Sequence, residues 1–178
     1  LRKALAIGAD RAVRINHDPK DGLSVAKHIS DYIKLNSYDL IIAGRDSIDY
    51  NGGMVPGMIS AFTDINFIDK CIDLKISGNN VEASREIEGG KENISTHLPL
   101  IIGGQKGLVE ESDLRIPNMR GIMMARKKEL VVIDSDEDYS ATHSKDFEKP
   151  HPKGEVTIVQ ADEVEKLIDL LHNEAKAL

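Results

Sequence analysis

The sequence has a single cysteine and lacks any long apolar run. One thiol, Cys71, cannot form an internal disulfide or a thiol zinc cluster, so the sequence predicts a reducing compartment and a free core thiol. A helix that crosses a bilayer needs about 20 consecutive apolar residues. No stretch approaches that length, and no charged and then apolar leader stands at the start. We therefore expect no membrane insertion.

Basic residues are fewer than acidic residues. The chain carries 23 Lys and Arg against 30 Asp and Glu, a net charge of −7. A broad nucleic-acid surface needs clustered Lys and Arg for its phosphate contacts, so nucleic acid is not an expected partner. The 178 residues, 40% of them hydrophobic, are enough for an α/β fold with a sizeable core.

The spacings that mark catalytic and metal sites are missing as well. Six histidines are scattered along the chain, without H-E-x-x-H spacing or paired cysteines. No G-x-S-x-G elbow is present, and Ser47 has no identifiable base partner. The sequence therefore predicts no catalytic residue and no metal ligand.

The first part of the chain alternates strands and helices. The pattern predicts a short strand at 12–15, an amphipathic helix that begins near Asp21 or Ser24, a buried strand at 39–44 and a helix with Pro56 in its first turn. The continuous apolar run at 39–44 is typical of a parallel sheet that is covered on both faces.

From Cys71 onward the apolar period changes to two, which predicts an antiparallel meander. Its strands are expected around 72–76, 81–85 and 94–98. Buried strands are predicted again at 100–103 and 130–133, and between them a long loop leads into a short helix that contains Met119.

The last quarter of the chain differs in composition. We predict that an α/β domain of residues 1–134 is followed by an extended arm and terminal helix at 135–178, because the stretch after 134 is polar and contains Pro150 and Pro152. Within the arm we expect a strand at 155–159. The final helix is expected to open with Asp162 and Glu165 in capping-box spacing.

The strongest local candidate for a binding site is the loop at 44–53. It lies at the carboxyl end of a buried strand and leads into a helix, which is where open α/β sheets bind ligands. Its glycines let the backbone approach a phosphate, the helix start supplies NH groups, and Ser47 or Arg45 can add hydrogen bonds. No G-x-G-x-x-G or Walker pattern is present, so a plain turn stays an open alternative.

Several segments together resemble a known family. They are Ala-Leu-Ala-Ile-Gly-Ala-Asp-Arg-Ala at 4–12, the loop at 44–53, Arg-Glu-Ile-Glu-Gly-Gly at 85–90 and, most specifically, Leu-Arg-Ile-Pro-Asn-Met-Arg-Gly-Ile-Met-Met-Ala-Arg-Lys-Lys at 114–128. Over nearly its whole length the chain resembles the electron transfer flavoprotein beta subunit. The family's opening strands have no counterpart, and the chain opens on Leu1 in what resembles the last turns of a helix, so we expect upstream sequence to be missing.

The resemblance implies a fold and a set of cofactors. The fold is an incomplete Rossmann-like parallel sheet of the adenine nucleotide alpha hydrolase-like type, with helices on both faces, an antiparallel meander and a C-terminal arm. In this family an alpha subunit holds most of the flavin adenine dinucleotide (FAD) contacts. The beta subunit binds a second adenine nucleotide, either adenosine monophosphate (AMP) or another FAD.

The resemblance also implies binding residues. Carried over by position, the nucleotide contacts are Gly44, Ser47, Asp49, Gly52, Gly53, Met54 and Val55. In that loop Tyr50, Gly53, Met54 and Val55 stand where many relatives have other residues, including amide donors, so backbone NH groups and Ser47 remain as donors to a phosphate.

A partner-binding segment is implied by the same resemblance. Met119 occupies the apolar position of the family's partner-recognition loop, where a flexible side chain suits varied dehydrogenases, although its spacing to Ile122 also permits packing as ordinary core. Arg115 and Arg126 belong to a local basic patch, which either steers an acidic partner or is a solvated face.

The function implied is that of an electron carrier without a reaction of its own. With an alpha subunit, the chain would accept electrons from flavin dehydrogenases and pass them to a quinone-linked or other acceptor, in a bacterial cytoplasm rather than a mitochondrial matrix. Whether the carrier bifurcates electrons stays open. The isolated chain is expected to self-associate through exposed sheet edges. The rival hypothesis is a stand-alone adenine-nucleotide sensor of the universal-stress type, which lacks the signature at 115–128.

Overall fold

The computed structural model describes residues 1–48 and 51–177. Within them the helices are α1 (Arg2–Ile7), α2 (Gly22–Leu35), α3 (Val55–Thr63), α4 (Met119–Ala125) and α5 (Val164–Asp169). The strands are β1 (Ala12–Asn16), β2 (Leu40–Gly44), β3 (Asn66–Ser77), β4 (Asn80–Ile87), β5 (Gly90–His97), β6 (Leu100–Gly104) and β7 (Leu130–Asp134). A 3-10 turn spans Glu111–Asp113, and a π-helical turn, Leu170–Glu174, follows α5.

The strands form two sheets. In the larger one the order is β2-β6-β3-β4-β5, with β6 parallel to both of its neighbours and β4 antiparallel to β3 and β5. In the smaller one β1 pairs in parallel with β7. The predicted α/β fold, with a parallel sheet, helices and an antiparallel meander, is confirmed.

Strand β3 belongs to both parts of the larger sheet. Its first residues pair in parallel with β6, and the stretch from Cys71 onward pairs antiparallel with β4. The change coincides with shifts of register around Lys70, which has a positive φ of 52°. Such a bulge bends a strand, and here it lets one strand join the parallel and the antiparallel part.

The core lies on both faces of β6. Leu100 and Ile102 point to the meander side and pack with Ile68 and Cys71, whereas Ile101 points to the other face and packs with α2 and α3. The prediction of a free core thiol is confirmed, because Cys71 is buried and unbonded to another cysteine. Burial raises the pKa of the Cys71 thiol, which keeps it in its unreactive protonated form.

Helices α1 and α4 pack closely beside the smaller sheet. Leu5 and Ala125 are buried in their contact with Ala12. The contact depends on Gly121, since a Cβ atom there would lie 2.4 Å from the carbonyl oxygen of Ala6. The absence of a side chain at Gly121 therefore lets α4 lie directly against the end of α1.

The chain divides into two compact units between Ser144 and Lys145. In the second unit, the prediction of a strand at 155–159 is wrong: these residues form no regular element, and Val156 and Ile158 are 81% and 85% exposed. A strand needs a neighbour to accept its backbone hydrogen bonds, and an isolated one is not stable in water. The predicted capping box is also wrong. Helix α5 begins at Val164, and the residue at its N-cap position is Glu163, whose side chain makes no capping hydrogen bond.

Candidate functional site

The candidate site is built where β2 and β6 end. The two strands pair in parallel and in register, with Gly44 opposite Gly104. The residues that follow them therefore meet at one edge of the sheet. Arg45 Nη1 donates to Gln105 Oε1 at 3.2 Å, and Gln105 Nε2 donates to Glu86 Oε2 at 2.6 Å.

The sequence patterns did not predict this series of side-chain hydrogen bonds from Arg45 through Gln105 to Glu86. Two nitrogens of Arg45 also donate to a single carboxylate oxygen, Asp46 Oδ2: Nε at 2.9 Å and Nη2 at 2.6 Å. This contact raises the pKa of Arg45. The available signal was positional: Arg45 follows directly after the strand predicted at 39–44, and Gln105 is the second residue after the strand predicted at 100–103. Parallel neighbours end at the same edge of a sheet, so the strand order was the one further fact needed to place the two residues together.

The loop after β2 is closed by its own backbone. Ser47 N donates to the carbonyl oxygen of Gly52 at 3.1 Å. A Cβ atom on Gly53 would lie 3.3 Å from the carbonyl oxygen of Arg45, and one on Gly52 would lie 3.5 Å from Ser47 Oγ. The structure thus brings Gly44, Ser47, Gly52 and Gly53 together. The predicted contact at Asp49 lies outside the described residues, as does Tyr50.

Helix α3 follows the loop, and the residue at its start, Met54, provides no side-chain cap. Met54 is its N-terminal flanking residue, Pro56 lies in its first turn, and Met58 N donates to the carbonyl oxygen of Met54 at 3.0 Å. The backbone NH groups ahead of Met58 precede the helical ladder, and the helix dipole adds positive potential at this end. A helix start beside a glycine loop is suited to an anion.

Met54 and Val55 also contact helix α2. A Cβ atom on Gly22, the first residue of α2, would lie 3.1 Å from Met54 Sδ and 3.5 Å from Val55 Cγ2. The side chains of these two predicted contacts are therefore directed at α2. Their backbone amides are the atoms that can serve a ligand in the loop.

The predicted partner-binding residues lie on and around α4. Met119, the first residue of α4, is 75% exposed, so the alternative that it packs as ordinary core is wrong. Other large apolar side chains nearby are exposed as well, namely Ile116, Ile122, Met123 and Met124. Arg115 and Arg126 are exposed, and the guanidinium of Arg115 lies over Gly8.

Of the basic residues at 126–128, Lys128 does not belong to this surface. Lys128 Nζ donates to the carbonyl oxygen of Leu5, in the last turn of α1, at 3.1 Å and to that of Ala9, just after α1, at 2.6 Å. In return, Arg2 Nη1 donates to the carbonyl oxygens of Ala125 and Lys128 at the end of α4. The two helices cap each other, so Lys128 has a structural role that the sequence pattern did not reveal.

No metal centre accompanies the site: within residues 1–48 and 51–177, no three His, Cys, Asp or Glu side chains are grouped to hold an ion. The geometry is that of an α/β protein with a glycine loop between the carboxyl end of a parallel strand and the start of a helix, the place where open α/β sheets bind ligands. The sequence agrees with this class, because residues 1–138 match the electron transfer flavoprotein domain.

Individual relatives give the same result. The chain is 36% identical over 192 residues to the electron transfer flavoprotein subunit beta of Bacillus subtilis, an alignment that covers 100% of this chain and 74% of that protein. It is 32% identical over 191 residues to the mitochondrial beta subunit of Oryza sativa subsp. indica, covering 100% of this chain and 72% of that protein. The chain therefore belongs to the electron transfer flavoprotein family, and the prediction of an electron transfer flavoprotein subunit is confirmed.

Other relatives match over a smaller share. The subunit beta of Mycobacterium tuberculosis (strain H37Rv) is 31% identical over 137 residues, which is 75% of this chain and 50% of that protein. The chain thus spans half of the mycobacterial subunit's length.

Replacing Lys128 by Met should lower the free energy of unfolding by about 1–3 kcal/mol, because two carbonyl oxygens at the end of α1 lose a charged donor. The matched control is Lys127→Met, an exposed neighbour of equal charge, which should change stability by less than about 0.5 kcal/mol. Urea unfolding followed by circular dichroism measures both. Equal midpoints for the two variants would contradict the capping role of Lys128.

Proposed function

We propose that the chain acts as the beta subunit of an electron carrier. It pairs with an alpha subunit, and the pair accepts electrons from flavin dehydrogenases and passes them to a quinone-linked or other acceptor. The observation that carries the proposal is the similarity, over the whole of this chain, to proteins named electron transfer flavoprotein subunit beta. The match to the family domain over residues 1–138 supports it. Neither the similarities nor the geometry favours the stand-alone sensor.

The loop after β2 is the proposed site of the adenine nucleotide, AMP or FAD. Three features fit a phosphate group: the closed glycine loop, the exposed Ser47, and the start of α3. Ser47 Oγ and the backbone amides of Gly52, Gly53, Met54 and Val55 would supply the donors. Asp49 stays in the proposed set from the family resemblance.

This chain contributes binding and electrostatics rather than catalysis. The flavin, held chiefly by the alpha subunit, supplies the redox chemistry when it is bound. The chain's own residues fix the nucleotide beside the carboxyl edge of the sheet and present the surface around α4 to partner proteins.

The nucleotide site can be tested by placing a carboxylate in the loop. Co-expressed with an electron transfer flavoprotein alpha subunit, the wild-type chain should purify as a heterodimer with one adenine nucleotide beyond the alpha-bound flavin. Gly52→Asp should keep the heterodimer but raise the nucleotide Kd at least about tenfold, because like charges repel; among the described residues, the added Cβ would contact Ser47 Oγ at 3.5 Å.

The matched control for Gly52→Asp is Gly90→Asp, which adds the same charge in the hairpin between β4 and β5, where a Cβ meets nothing within 4 Å. Isothermal titration with AMP and chromatographic counting of flavin and AMP measure the outcome. Two flavins per heterodimer would favour a bifurcating carrier, and one flavin with one AMP a simple shuttle. Equal Kd values for the two variants would place the nucleotide elsewhere, and no heterodimer at all would refute the carrier.

The proposed partner surface is the exposed apolar face of α4 with its basic rim. Met119 protrudes from the start of α4, and Arg115 and Arg126 lie exposed on either side of it in sequence. A central apolar anchor surrounded by polar groups is the usual anatomy of a protein interface. The unbranched methionine side chain adapts to partners of different shape.

Met119→Ser should weaken the complex with a flavin dehydrogenase about tenfold, because it removes the anchor without touching the core. Ile87→Ser, on an exposed apolar residue at the end of β4, is the matched control and should leave the complex unchanged. The KM for the dehydrogenase, measured with the heterodimer, reports the loss. If both variants bind as the wild type does, the anchor lies elsewhere.

The proposed location is a bacterial cytoplasm. No helix in the described residues has both the length and the apolar character that a membrane span requires. The similarity to the Bacillus subtilis subunit supports a bacterial setting, although the Oryza sativa relative is named mitochondrial.

Self-association of the isolated chain is also proposed. Among the described strands, β1 pairs only with β7 and β2 only with β6, so each has one unpaired edge. A cavity of about 440 Å³ runs beside β1, where apolar side chains of β1 and α2, Val13, Ile15, Val25 and Ile29, line it. Unpaired edges beside apolar surface favour pairing with another chain. Light scattering should show a mass that rises with concentration, and a monomer throughout would contradict this.

A further inference from the structure

Residues 135–142, which we call the strap, follow β7 and run over the N-terminal part of α2. Their main anchor is the Asp21 carboxylate. Its Oδ2 accepts hydrogen bonds from Ala141 N at 2.7 Å, Thr142 N at 2.8 Å and Thr142 Oγ1 at 3.2 Å. Its Oδ1 accepts from Ser24 N at 2.9 Å and caps α2. One carboxylate therefore both begins α2 and holds the strap.

Further contacts fix the strap along its length. Asp138 forms an ion pair with Lys20, and the ring of Tyr139 lies 4.9 Å from the ring of His28. Lys27 Nζ lies 4.9 Å from the centre of the Tyr139 ring, within reach of a cation–π interaction. The Lys20 pair is exposed and such pairs contribute little, so Asp21 is the contact on which docking depends most.

The electrostatics of Asp21 agree with this role. The pKa of Asp21 is lowered, first by the hydrogen bond from Ser24 N and then by those from Thr142 and Ala141. The strap amides therefore favour the ionised carboxylate, and the ionised carboxylate favours the docked strap.

The residue next to the Asp21 anchor contacts the end of the candidate nucleotide loop. Gly22 follows Asp21 and lies against Met54 and Val55, the residues that connect the loop to α3. A docked strap holds Asp21 in position through its hydrogen bonds, and with it the next residue, Gly22. Met54 packs against Gly22, and Met54 is the residue at which the loop passes into α3. The strap, the start of α2 and the loop are thus joined by direct contacts.

We propose that docking of the strap is coupled to occupancy of the loop: a phosphate-bearing adenine nucleotide in the loop stabilises the docked strap, and release of the strap weakens nucleotide binding. This inference rests on the proposed nucleotide site. The coupling arises because each event orders the contact between Gly22 and Met54, so that the second event costs less ordering. Such coupling is reciprocal, and the two effects should have the same factor.

Asp21→Asn separates the two roles of the anchor. Asparagine is as good a helix cap as aspartate, so its side-chain oxygen can still accept from Ser24 N. Its NH₂ group then faces the donors of Ala141 and Thr142, and two donors cannot bond to each other. The matched control is Asp18→Asn, an exposed aspartate in which the charge change is the same.

The measurement is hydrogen exchange of the strap amides in the full 178-residue chain, with and without AMP or FAD. In the wild type, nucleotide should slow exchange at Ala141 and Thr142 about 5-fold or more. Asp21→Asn should exchange fast in both conditions and should raise the nucleotide Kd by a similar factor, whereas Asp18→Asn should match the wild type. If Asp21→Asn does not fold, Thr142→Pro removes both Thr142 donors from the strap and leaves α2 intact.

The outcomes distinguish the coupling from the site itself. Nucleotide binding that leaves strap exchange unchanged, with a wild-type Kd in the released variants, would overturn the coupling and leave the proposed site intact. Absence of binding by either nucleotide would overturn the site and the coupling together.

Discussion

The parallel, in-register pairing of β2 with β6 is the constraint on which the rest of this structure depends. Because Gly44 lies opposite Gly104, the two strands end at the same level and the chain leaves both at one edge. The pairing is held rigidly, since Leu100, Ile101 and Ile102 of β6 are fully buried between the meander and the helices. Loops that extend from such a scaffold can be shaped for binding without loss of the core.

The charged residues divide into two groups with different roles. Arg2 and Lys128 bond to carbonyl oxygens at the ends of α4 and α1 and hold these helices together. Arg115 and Arg126 are exposed beside the apolar face of α4, on a chain whose net charge is −7. A basic rim on an acidic protein gives the surface around Met119 an electrostatic character of its own, which is suited to selecting partners.

Local patterns predicted most of the fold. The apolar spacing placed α2, with a start near Asp21 or Ser24, the continuous runs placed β2 and β6, and the period of two placed the meander, because each signal lies within one element. The strand expected at 155–159 failed because strand formation needs a partner, which a local pattern cannot supply.

Long-range contacts were the other limit of the sequence. Asp21 and Ala141 are separated by 120 positions, and Arg45 and Gln105 by 60. Neither pair has a spacing that could reveal it. For Arg45 and Gln105 the strand order was the missing information, and for Asp21 it was the path of an irregular segment that no periodicity describes.

The glycines of the loop do not by themselves distinguish a ligand site from a plain turn. Gly53 is required by the turn itself, because a side chain there would press on the carbonyl oxygen of Arg45. The start of the next helix is more informative. Asp21 caps α2 and Asn118 caps α4 through their side chains, whereas Met54, at the start of α3, provides no such cap. Backbone donors at a helix start favour an acceptor, and at α3 a bound phosphate would be one that the Met54 side chain cannot provide.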